Sequence, residues 1–69
     1  MNFKLFKAVE KSDVSTVRDL LRNGTNVNAK DFGKYEGTPL MLASKIGKMD
    51  IINELIKHGA NINDKNIEG

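Results

Sequence analysis

The side chains able to do chemistry are few, and their spacing argues against a reaction centre. His58 is the single histidine and there is no cysteine. A structural zinc site takes four Cys or His ligands, so this composition does not build one of the usual kind. Disulfides and thiolate chemistry are excluded by the same count. Acidic and basic residues are interspersed, and no nucleophile–base or acid–base pair emerges at a plausible spacing. No cofactor is implied. Two triplets resemble known motifs. Asn23-Gly24-Thr25 has the form of a glycosylation acceptor, and Asp31-Phe32-Gly33 has the form of the kinase metal-binding triplet. The first reads better as a helix end, and the second lacks the rest of its signature set. His58 stands before Gly59, where a helix C-terminus favours a residue that can carry positive charge. These residues point away from an enzyme and towards binding.

The elements that must position any binding residues are short. With 69 residues the chain makes one domain at most. A chain of this size buries a modest fraction of its surface, and small scaffolds usually add a disulfide, a metal or a partner. What remains here is tidy local packing or a neighbour. Eleven basic residues against nine acidic ones give a net charge of +2, a weak footprint for nucleic acid. No apolar run approaches the roughly 18 residues of a membrane span. The start MNFKLFKAVEKSD lacks the apolar core of a signal peptide. The expectation is a soluble, intracellular, cytoplasmic chain that binds neither nucleic acid nor a membrane.

The chain repeats itself at a distance of thirty-five. Leu5 falls on Leu40, Ala8 on Ala43, Leu20 on Leu55, Gly24 on Gly59, Asn26 on Asn61 and Asn28 on Asn63. A period near this value is the mark of a stacked repeat. Within the second copy, Thr38 and Pro39 read as an N-cap followed by the first helical position. A helix over 38–47 ends at Gly47. A second over 48–59 carries Met49, Ile52, Leu55 and Ile56 as its apolar stripe and closes at Gly59. The Asn-rich ANINDKN then runs on with Ile62 expected to point inward. In the first copy Phe3, Leu5, Phe6, Ala8 and Val9 lie on one helix. Ser12 and Asp13 punctuate it, and Val14, Val17, Leu20 and Leu21 form the stripe of the next.

At this point the residues resemble the ankyrin repeat. The family pattern D-x-x-G-x-T-P-L-H-x-A, with a second helix ending L-L-x-x-G-A-x-x-N, is matched closely by GTPLMLASKIGKMDIINELIKHGANIN at 37–63. The resemblance implies an all-α helix-turn-helix solenoid with short β-hairpin-like loops. It divides the chain into a first repeat at about 1–31, a hairpin with an insertion at 32–37, a second repeat at about 38–66, and the start of a third hairpin at 67–69. Three departures stand out. Met41 replaces the family's His, which exchanges polar bonding for apolar packing. Asp31 lies seven positions before Thr38 rather than five, so DFGKYEG holds a two-residue insertion. The first unit has no TPL and begins at Met1, with Lys4, Lys7 and Lys11 on an outer face as a solubilising cap.

The resemblance also implies a function. Stacks of this kind bind proteins through hairpin tips and the concave face of their first helices. Carried over position by position, the contact residues are Lys34 and Tyr35 at the tip, Lys45 and Ile46 late in the first helix of the second unit, and Glu10 and Lys11 in the first, and the inserted tip adds Phe32 and Glu36. Tyr35 is expected to stay exposed, while Phe32 either folds back on the stack or stands free. Two alternatives accompany this reading. Met49, Ile52, Ile56 and Ile62 leave apolar surface at an uncapped C-terminal end, which a second copy of the chain would cover as a homo-oligomer. The amphipathic start FKLFKAVEK with Phe3, Phe6 and Val9 would suit an anionic surface, although a core role explains the same residues.

Overall fold

The computed structural model describes residues 3–62. Four helices follow in order: α1 (Lys4–Glu10), α2 (Val14–Arg22), α3 (Pro39–Ile46) and α4 (Met49–Lys57). α1 packs on α2 and α3, and α4 packs on α3 and α2, so two helical pairs lie side by side. Among the described residues the extended structure is one antiparallel bridge between Asp31 and Gly37. The architecture is all-α, as the repeat pattern implies.

Local chemistry sets the helix ends. Asp13 caps α2, its carboxylate accepting from the Thr16 N–H at 3.2 Å and from the Thr16 hydroxyl at 2.6 Å. These two bonds hold the Asp13 carboxyl below its ordinary range. Thr38 caps α3 by accepting from the Met41 N–H at 3.2 Å, and Pro39 follows at the first helical position. α1 and α4 have no side-chain cap bond. The two Gly ends are built alike. The Thr25 N–H reaches back to the Leu20 carbonyl at 3.1 Å, and the Ala60 N–H reaches the Leu55 carbonyl at 2.9 Å. This six-to-one closure satisfies carbonyls that the last turn leaves open.

Every helix contributes to one core. Leu5, Ala8 and Val9 of α1, Val17 and Leu21 of α2, Ala43 of α3, Ile51 and Leu55 of α4, and Ala60 form the buried cluster. Full burial of a Leu, Ile, Val or Phe side chain is worth about 1.5–3 kcal/mol, set against the ordering of the chain. Ala43 is fully buried, and its small side chain lets the adjacent helices approach closely.

Three expectations are corrected. The inward face of α4 is Ile51, Glu54 and Leu55, with Ile52 partly buried, while Met49 and Ile56 are 62% and 44% exposed. Two apolar stripes overlap on this helix, and the one holding Ile51 meets the neighbouring helices. Ile62 is 65% exposed rather than inward, because among the described residues nothing lies beyond α4 to receive it. Phe3 stands at the N-cap of α1 rather than within the helix. The expected start of a third hairpin at 67–69 lies outside the described residues.

Candidate protein-interaction surface

The insertion between α2 and α3 folds as a closed loop. The Asp31 N–H donates to the Gly37 carbonyl at 2.9 Å and the Gly37 N–H donates to the Asp31 carbonyl at 2.8 Å. Inside this ring the Asp31 carboxylate accepts from the Tyr35 N–H at 2.8 Å, and Asp31 is buried. Gly37 closes the loop with φ 153°. A Cβ built there would stand 2.6 Å from the Met41 Sδ. Met41, at the family's His position, thus fills the space that the glycine leaves open. Its apolar packing accords with the exchange expected at that position.

Tyr35 corrects the expectation of exposure. Its ring stacks on Phe6 at a centroid distance of 4.8 Å and an interplanar angle of 13°, and it tilts against Phe3 at 6.1 Å. It is half-buried, and the Lys34 Nζ lies 5.3 Å from its ring centroid. Such an arrangement combines aromatic stacking with a cation–π contact. The physical reason is supply of apolar surface. α1 has Phe6 fully buried and Phe3 at its N-cap, and Tyr35 covers them from above. Tyr35 is therefore the anchor that fixes the loop to α1. Phe32 takes the other course open to it and stands 69% exposed.

The eight candidate residues fall into two groups. Phe32, Lys34, Tyr35 and Glu36 sit together on the loop that precedes the N-terminus of α3. Lys45 and Ile46 lie at its C-terminus, with Glu10 and Lys11 at the matching end of α1. An eight-residue helix is about 12 Å long, so α3 separates the groups. Glu10, Lys11, Lys34, Glu36 and Lys45 are exposed, and Ile46 is 37% exposed. The amphipathic alternative for α1 is not supported by the packing, because Leu5, Phe6, Ala8 and Val9 are all buried in the protein itself.

Two ties between the units are not legible in local patterns. The Arg18 Nε donates to Glu54 Oε1 at 2.9 Å across α2 and α4. This bond keeps the Glu54 carboxyl below its ordinary range, against the opposing effect of burial. Glu54 Oε2 is buried with no hydrogen-bond partner among the described residues. A cavity of about 280 Å³ beside this pair is lined by Val14, Arg18, Asp50, Asn53, Glu54 and Lys57. The second tie is Asn28. Its Nδ2 donates to the Gly59 carbonyl at 3.2 Å and its Oδ1 accepts from the Asn61 N–H at 2.8 Å. The echo of one Asn-rich arm in the other was the available signal, since Asn28 joins the two arms directly. Among the described residues, no group of His, Cys, Asp and Glu is placed to hold a metal ion. None of their helices is long and apolar enough to cross a membrane.

Known proteins share this organisation. The family model described as ankyrin repeats (3 copies) matches residues 5–69. A 2-5A-dependent ribonuclease of Mus musculus is 45% identical over 56 residues, which is 81% of this chain and 8% of that protein. Ankyrin repeat domain-containing protein 49 of Bos taurus is 44% identical over 59 residues, 84% of this chain and 24% of the relative. A glycerophosphocholine phosphodiesterase of Schizosaccharomyces pombe is 37% identical over 68 residues, 99% of this chain and 6% of that enzyme. The chain spans less than a quarter of the length of each of these relatives. With the family pattern matched over nearly its whole length and paired helices closed by the same Gly and Asn chemistry, the chain belongs to the ankyrin repeat family.

Proposed function

We propose that this chain is a non-catalytic protein-interaction module that contacts its partner through the inserted tip and the concave helix face. Ankyrin repeats are in general protein–protein interaction modules. Two relatives bear the names of enzymes, and the segment they share with this chain is 8% and 6% of their lengths. The observation that carries the reading is Phe32, 69% exposed on a loop held by the Asp31 bonds and the Tyr35 stack. Exposed aromatics on a fixed frame are the usual anchors of an interface. Phe32, Lys34 and Glu36 make the tip contact with Tyr35 beneath them, and Glu10, Lys11, Lys45 and Ile46 extend it along the helices. The test compares partner capture by the wild-type chain, Phe32→Ala and a Lys45→Glu/Ile46→Ala variant. Loss of the captured protein in either variant, with helicity intact, supports the surface. Equal capture by all three removes it.

A second reading is self-association through the C-terminal face, favoured by the exposure of Met49, Ile56 and Ile62. A second copy would cover these residues by end-to-end stacking. Sedimentation across a range of concentrations checks this. A mass that rises with concentration in the wild type, and not in Ile56→Glu, supports it, and a concentration-independent monomer removes it.

A further inference from the structure

We propose that the face formed by the inserted loop and the start of α1 docks an acidic segment of a partner protein, with Phe32 as the apolar anchor. This rests on the interaction reading above and adds the chemistry of the partner.

Charge is the first argument. The start of α1 and the loop with the residues leading into it hold four lysines, Lys4, Lys7, Lys30 and Lys34, against the two acids Asp31 and Glu36. The remaining charges of the sequence balance at seven basic and seven acidic, so these two segments account for its net charge of +2. The acid at the base of the loop is turned inward. Asp31 is 5% exposed, with its carboxylate bonded to the Tyr35 N–H. Along the rising limb of the loop, what a partner meets is therefore Lys30, Phe32 and Lys34, all exposed. Glu36 lies on the returning limb.

Preorganisation is the second argument. The loop is closed by two backbone bonds and fixed to α1 by the Tyr35–Phe6 stack. An aromatic held on such a frame loses little further freedom on binding. Phe3, 38% exposed and 6.1 Å from the Tyr35 ring, extends the apolar part of the patch. Lysines around an apolar centre steer an acidic partner and set its register, while the buried anchor supplies affinity. A membrane fits less well, because the apolar side of α1 is already spent on the core.

The experiment is selection of a random displayed peptide library on the full chain. A recovered peptide is then synthesised and measured by fluorescence anisotropy against the wild type, Phe32→Ala and Lys34→Glu, with phosphatidylserine vesicles as a separate arm. The expected peptides are rich in Asp and Glu around an aliphatic or aromatic residue. Their affinity falls about tenfold or more in Phe32→Ala, as for a central anchor, and weakens with added salt and in Lys34→Glu. Melting of Phe32→Ala matches the wild type, since the side chain it removes is exposed. Peptides without acidic enrichment, or acidic peptides that bind Phe32→Ala as well as the wild type, overturn this inference and leave the interaction reading standing. Vesicle binding that displaces the peptides also overturns it. Recovery of no peptide overturns both.

Discussion

The two units share a pattern and differ in what covers them. Val14, Val17, Leu21 and Val27 of the first are buried or half-buried. Their counterparts thirty-five residues on are Met49, Ile52, Ile56 and Ile62. Met49, Ile56 and Ile62 are 62%, 44% and 65% exposed, and Ile52 is only partly buried where Val17 is fully so. The same residue types at the same helical positions thus have opposite fates. The second unit covers the first, and among the described residues nothing covers the second. Apolar periodicity marks a face that can pack, and the neighbour decides whether it does. The helix caps show a milder asymmetry. The first unit caps its second helix with Asp13, and the second unit caps its first helix with Thr38.

Breaking the comparison starts with equivalent truncations. Leu21→Ala is expected to cost about 2–5 kcal/mol, enough to unfold much of so small a chain, whereas Ile56→Ala costs well under half as much. Urea titrations followed by circular dichroism measure both. Equal losses would mean that Ile56 is covered in solution. Next in size is Thr38→Ala, expected to lower stability by about 1 kcal/mol through loss of the α3 cap. Asn28→Ala removes both bonds between the Asn-rich arms and is expected to cost about 1 kcal/mol or less, given its partial exposure. Hydrogen exchange should show the Asn61 amide losing protection first.

The smallest effect is one of pH. Glu54 and Asp13 both have folded-state values below their ordinary 4.5 and 3.8. Their contributions are complete above those ordinary values and are lost as pH falls through the lower, folded ones. Stability should therefore hold from neutrality down to about pH 5 and decline below about pH 4.5. In Glu54→Gln the acid-dependent fall is expected to be shallower, which thermal melts at several pH values detect.

Much of this was legible along the chain because it is local. Thr38-Pro39, Gly24 and Gly59 act within one helical turn, and the period of thirty-five exposes the pairing of units. The phase of α4 was not legible. Ile51, Ile52, Leu55 and Ile56 offer two adjacent apolar stripes, and only contact with α2 and α3 selects one. Tyr35 escaped for a similar reason. A polar, Gly-flanked loop says that an aromatic within it has no local core, but Phe6 of α1 and Phe3 at its N-cap come from the other end of the first unit. Arg18 and Glu54 are likewise joined only by packing. Phe32 differs in that, among the described residues, no distant surface covers it, and it stands 69% exposed.

The most direct measurement is amide chemical-shift mapping of the isotopically labelled chain as a captured partner is added. The account predicts that the largest changes fall on Lys30–Glu36, with smaller ones at Lys45 and Ile46. Changes confined to Met49–Ile62 would contradict it and assign binding to the uncovered face of the second unit.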